Sequence, residues 1–319
     1  MIRPLPLLMA GLLLVFYIDG FLIGAPLTLL LAFACLGVVA LVGFLHHADH
    51  GDLGQIAAST PLLSALSAFA VAVLSRGLLL PLVFNVAAVG SAGGLAEKLA
   101  RSRCTGVGAA VYCGAFVGMT SEQVLDHPGW IVIAGALAGV LLEWLQTAWS
   151  GIGGKLGSTA FLAVFSVVGL TTLLNLQGPG AHLHRFTHAE QGLVFLLALL
   201  SSQFTHHLSY RNGIGAVLGS ALPSMVAGWL LPVHLAVVWL GASFVGMTSP
   251  SRLTSHPTLH LLVMGALYAT FSLGFEPTLA GLGGDLGATA AISVFAVLGL
   301  SRLLTWTLVF WRNTKAHGG

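Results

Sequence analysis

Apolar stretches of about 20 residues follow one another along most of this chain, and short polar turns are all that separates them. Wound as a helix, each is long enough to cross a hydrocarbon layer of ~30 Å. A soluble domain carries roughly 25% charged residues. Here 7% are charged and 56% hydrophobic, too little polar surface to face water all round. The runs are continuous and do not alternate with a period of two, which argues against a transmembrane barrel. The predicted fold class is therefore an all-α polytopic membrane protein.

Turn residues and charges mark 12 predicted segments, near 5–24, 26–46, 61–84, 86–99, 106–120, 129–146, 156–174, 191–208, 213–231, 233–248, 257–275 and 286–310. Met1-Ile2-Arg3 leads into an apolar run without a clear cleavage site, so the first segment reads as a retained helix.

Inside this pattern lies a duplication. Gly151-Ile152-Gly153-Gly154-Lys155-Leu156-Gly157-Ser158-Thr159-Ala160 returns 130 residues later as Gly281-Leu282-Gly283-Gly284-Asp285-Leu286-Gly287-Ala288-Thr289-Ala290. Phe116-Val117-Gly118-Met119-Thr120-Ser121 returns as Phe244-Val245-Gly246-Met247-Thr248-Ser249, and His127-Pro128 as His256-Pro257. The order is collinear, which points to an internal repeat. The expected organisation is two N-terminal helices and a polar loop over 1–60, a first repeat over 61–176 and a polar connection over 177–190. A second repeat over 191–310 and a tail over 311–319 complete it.

Five segments per copy is an odd number, so the second copy enters the membrane from the opposite side. Charge gives an independent check. With a cytoplasmic N-terminus, Arg3, Lys98, Arg101, Arg103, Arg211, Arg252, Arg312 and Lys315 fall inside, against Arg185 and Arg76 near the outer face. The expectation is an inverted repeat in the cell (inner) membrane, multi-pass, with both termini cytoplasmic. Trp130 and Trp149 bracket the sixth segment at positions that suit interfacial anchors.

Four glycines in seven residues cannot form a stable helix interior, since each costs about 1 kcal/mol relative to Ala. Each Gly-rich stretch, with Gly153 and Gly154 in the first and Gly283 and Gly284 in the second, reads as an unwound entry into the following helix. Freed carbonyls there offer cation ligands and freed N–H groups an anion site, with hydroxyls from Ser158, Thr159 and Thr289. The alternative is a tight turn whose small residues allow close helix packing. The one ionisable position changes sign between copies, from Lys155 to Asp285. If both lay near the midplane they would pair across the pseudo-two-fold, with Asp285 as a proton or sodium site and Lys155 as counter-charge or anion ligand. If both lay in surface turns, they would never meet.

Thr120-Ser121 and Thr248-Ser249 read as a helix end followed by a fresh helix start, Ser249-Pro250 resembling an N-cap with Pro at the first helical position. They present hydroxyls to a solute or serve as capped turns. Glu143, inside the sixth segment, is an acid whose counterpart by the 130-residue offset is Leu273; unmatched intramembrane acids are functional candidates. Glu97 beside Lys98 reads as an interfacial pair. The histidine-rich loops at 46–50 and 182–188 lack a metal-site spacing and read as solvated. No P-loop, dinucleotide fingerprint or nucleophile elbow occurs, and no basic stripe invites nucleic acid.

These features together lead to an expected ion-coupled secondary active transporter of a small polar or anionic solute, working by alternating access, rather than an enzyme. H+ or Na+ would be the coupling ion, and no organic cofactor is expected. The expected partners are the lipid bilayer and a small solute or ion, with a homo-oligomer compatible. A passive channel on the same pseudo-two-fold is the alternative. A membrane-embedded metal handler or enzyme using the loop histidines is weaker still.

Overall fold

The computed structural model describes residue 35 and residues 38–40, 59–77, 80–100, 105–174, 186–253, 256–275 and 281–317. Within them the chain is helical throughout, without strands. The helices are α1 (Ser59–Gly77), α2 (Leu82–Ala100), α3 (Val107–Val117), α4 (Pro128–Trp144), α5 (Lys155–Leu173), α6 (His188–His206), α7 (Ala216–Leu230), α8 (Val233–Gly246), α9 (Pro257–Phe275) and α10 (Asp285–His317). A π turn at His207–Arg211 and a 3-10 turn at Pro250–Arg252 interrupt the connections. Of the two N-terminal segments only the helical residues 35 and 38–40 are described. The expected polar loop at 46–52 and most of the connection at 177–190 fall outside the described residues.

The packing is reversed relative to a soluble bundle. Helix α1 turns Thr60, Ser64, Ala65, Ser67 and Ala68 inward, while Leu62, Leu66, Phe69 and Val73 point outward, each more than 40% exposed. On α6, likewise, Ser201, Ser202 and Thr205 are buried, and Leu196, Leu200 and Phe204 are exposed. Water would penalise such a surface, whereas hydrocarbon accepts it and small inward residues let helices approach closely. Helices α1 and α5, with Pro257–Gly274 of α9 and Asp285–Thr307 of α10, are long and apolar enough to cross a membrane. The fold is that of a helical membrane protein.

Helix ends obey local chemistry. His127 accepts a hydrogen bond from Gly129 N–H through Nδ1 and places Pro128 in the first turn of α4. Thr187 and Glu190 form a reciprocal capping box on α6. Glu97 accepts from the N–H groups of Gly106 (3.1 Å) and Gly108 (2.7 Å). It thus caps the entry to α3 and does not pair with Lys98 as expected. The third predicted segment also shortens. Helix α1 ends at Gly77, and residues 82–84 open α2, which makes α2 a full 19 residues.

Pairings on one side of the chain recur on the other. Helix α1 packs on α3 and α4, α2 on α3, and α5 on α3 and α4. In the same way α6 packs on α8 and α9, α7 on α8, and α10 on α8 and α9. Between these groups, α2 meets α7 and α5 meets α10.

Candidate functional site

The two Gly-rich turns meet the two Thr-Ser turns crosswise. Ser249 N–H donates to Gly151 O at 2.8 Å and Ser121 N–H to Gly281 O at 2.9 Å. Gly153 N–H donates to the Thr248 hydroxyl and Gly283 N–H to the Thr120 hydroxyl, both at 3.2 Å. The sequence presents these motifs far apart, and the fold joins each to the partner from the other half.

Glycine is required here for two separate reasons. Gly154 and Gly284 sit at φ +85° and +90°, left-handed values that let the chain turn sharply into α5 and α10. Gly157 and Gly287 lie back to back where those helices cross. A Cβ on Gly157 would stand 2.6 Å from the Gly287 Cα, and one on Gly287 would press equally on the Gly157 backbone. Ser158 fastens the crossing, its hydroxyl reaching Gly154 O at 3.0 Å and Gly287 O at 3.3 Å. Thr159 and Thr289 donate to the carbonyls of Lys155 and Asp285 one turn back, at 2.9 and 3.0 Å. Thr120 also donates to Val117 O at 2.7 Å. These expected solute hydroxyls are thus engaged with backbone. Ser121 and Ser249 accept from Gln123 and Ser251 N–H. Ser249 caps the 3-10 turn Pro250–Arg252 with Pro250 at its start, as expected, and Ser121 opens a short turn; α4 and α9 begin only at Pro128 and Pro257.

Lys155 and Asp285 each open a helix, and neither is bonded to the other. The Lys155 ammonium donates to Gln146 O at 2.8 Å. The Asp285 carboxylate accepts from Leu286 N–H at 2.7 Å, closing the start of its own helix.

Beside the crossing, on the Lys155 side, lies a cavity of about 370 Å³. One wall is the entry to α5, from Gly151 through Gly157. Glu143, Thr60 and Gln146 also line it, while Phe116, Phe244 and Trp149 supply apolar walls. Tyr210, Ala216 and Met247 close it from the second half. The Glu143 carboxylate, penultimate in α4, accepts from the Thr60 hydroxyl at 2.5 Å. Tyr210, carried by the π turn, donates to Met247 O at 2.6 Å. Phe116 and Phe244, at matching places in the two Phe-Val-Gly-Met-Thr-Ser motifs, pack at a 60° tilt with ring centres 4.7 Å apart, and Tyr112 packs on Phe116 at 4.2 Å.

Of the expected site residues, Gly154, Lys155 and Glu143 line this cavity. Gly153, Gly283, Gly284, Thr120, Thr248, Ser158, Thr159 and Thr289 build the crossing next to it. Asp285, next in the chain to Gly284 of the crossing, does not line the cavity. Trp149 departs from expectation. It is 1% exposed, holds φ +58° and meets Phe295 edge-on, because the chain folds back beneath the Gly-rich turn. It is a core wall and not a lipid-facing anchor. Thr60, Gln146 and Tyr210 were not expected from the sequence. Only Tyr210 carries a signal there, lying just before Arg211 at a segment end. Comparison with protein-family models, curated proteins and solved structures finds no match for this chain.

Proposed function

We propose that this protein is a secondary active transporter of a small polar or anionic solute, coupled to H+ or Na+, and that the cavity beside the crossed turns is its solute site. The observation that carries this reading is the cavity itself. Its ~370 Å³ falls within the usual range for small-molecule sites, about 300–1,000 Å³. It also combines Lys155, Glu143 and Tyr210 with the aromatic walls of Phe116, Phe244 and Trp149. Collinear motifs in the sequence, and helix pairings that recur in the same order, support two five-helix repeats. The odd number of segments per repeat supports an inverted relation. Alternating access would then be a rocking of one repeat-related group against the other, with the glycine crossing as the fixed contact.

The expected setting is a multi-pass protein of about 12 segments in the cell membrane, both termini cytoplasmic. Flux into proteoliposomes, using a panel of radiolabelled carboxylates, amino acids and inorganic anions under imposed proton or sodium gradients, tests the reading. Saturable, gradient-driven uptake is the expected outcome. Conductance that ignores both gradients would replace the transporter with a channel.

A further inference from the structure

The change of sign between the two Gly-rich turns has a structural meaning. At α10 the Asp285 carboxyl accepts from the Leu286 N–H at 2.7 Å, so this helix start carries its own built-in acceptor. A carboxylate suits that place, since a helix N-terminus has unshared N–H groups and partial positive charge. At α5 the backbone is the same, with left-handed Gly154 matching Gly284 and Gly157 matching Gly287. Yet no side chain caps α5, and its first residue is Lys155, the sign that a helix N-terminus disfavours.

The second observation is independent of the helix end. The start of α5, from Gly154 to Gly157, forms a wall of the ~370 Å³ cavity. Lys155 stands on that wall, half-buried, with its ammonium against Gln146 O at 2.8 Å. One half of the protein therefore contains a carboxylate at this position. The other half has a cation and an open cavity.

We propose that the solute is a small organic carboxylate, whose charged group takes the position at Lys155 that the Asp285 side chain holds at the second turn. This deepens the proposed transport function and rests on the cavity being the solute site. The other groups on the walls limit the solute further. Glu143, held by Thr60, faces the same space and disfavours a second negative charge. Phe116, Phe244 and Trp149 offer apolar faces to the remainder of the molecule, and Tyr210 is the only other titratable wall residue among those described. A monovalent carboxylate with an apolar or planar body satisfies all of these walls.

The test reads charge preference directly, in the full chain. Ser150, exposed and on the cavity wall, becomes the reporter as Ser150→Cys, with Cys35, Cys104 and Cys113 changed to Ser. Its modification rates with an anionic and a cationic methanethiosulfonate are compared, each scaled to the same reagent's rate on a free thiol. The anionic reagent is expected to lead by about tenfold, the scale of one unit charge acting in a partly screened cleft. Lys155→Gln should abolish that lead, Lys155→Arg should keep it and Glu143→Gln should increase it. Benzoate, as the probe carboxylate, should slow labelling only where residue 155 is cationic. A lead for the cationic reagent, or an anionic lead indifferent to Lys155→Gln, overturns the proposal. Sidedness separates this from the transport reading. Labelling from one side at a time with cationic preference leaves transport standing and removes the carboxylate. Anionic preference with simultaneous access from both sides keeps the anion site and makes it a channel.

Discussion

The turn entering α5 and the turn entering α10 share their glycines, their left-handed backbone and their docking partners, but differ at the first helical residue. In both, a glycine N–H is received by a threonine hydroxyl of the opposite half at 3.2 Å, and a serine N–H reaches back to the turn's first glycine. Geometry is therefore held in common while charge is not. What two copies share is what the fold needs. What they do not share is free to serve chemistry, and here that difference falls on Lys155 and Asp285, with an open cavity at the first.

The largest effect should come from the shared part. Gly157→Ala and Gly287→Ala each place a Cβ against the backbone of the crossing helix, where no flexible side chain can yield. Overpacking of this kind costs about 3 kcal/mol at the upper end of its usual range. Both variants should lose folded, monodisperse protein in detergent by size-exclusion, and to a similar degree. If one is tolerated and the other is not, the two turns are not structural equivalents and the comparison fails.

A middle effect tests the crossed hydrogen bonds. Thr248→Val and Thr120→Val each strand a buried glycine N–H, at a cost of about 2 kcal/mol. Thermal unfolding should show matched decreases. Serine at either site should recover most of the loss, since it restores the hydroxyl. Unequal decreases would show that one half supports the junction more than the other.

Much of this arrangement was legible in the sequence, because periodic glycines and repeated Thr-Ser pairs survive as regular spacing. Helical membrane character comes from run length and scarcity of charge alone. The crossing of motifs between halves was not legible, since nothing in a linear chain says that Gly153 should find Thr248 and not Thr120. Glu143 stood out as an unmatched acid, but its partner Thr60 comes from a different helix and resembles any residue before a proline. Trp149 misled because an aromatic at a segment end resembles an interfacial anchor. Its burial depends on a backbone reversal that only the folded turn reveals.

The smallest expected change in stability is also the most informative. Lys155→Asp writes the chemistry of the second turn into the first. If the turns are equivalent in backbone, the new carboxylate should reach the Leu156 N–H as Asp285 reaches Leu286, and an acidic group in the first turn of a helix adds roughly 0.5 kcal/mol. Replacing a cation by an anion at that end acts in the same direction. The converse Asp285→Ala should remove a similar amount. Unfolding midpoints should therefore rise for Lys155→Asp and fall for Asp285→Ala. Transport should track neither trend. A side-chain carboxylate at residue 155 occupies the place proposed for the solute, beside Glu143, so uptake should vanish in the more stable variant. A protein made sturdier and silent by one substitution would separate the structural from the functional share of the turn. A variant that is stabilised and still transports would put the solute elsewhere.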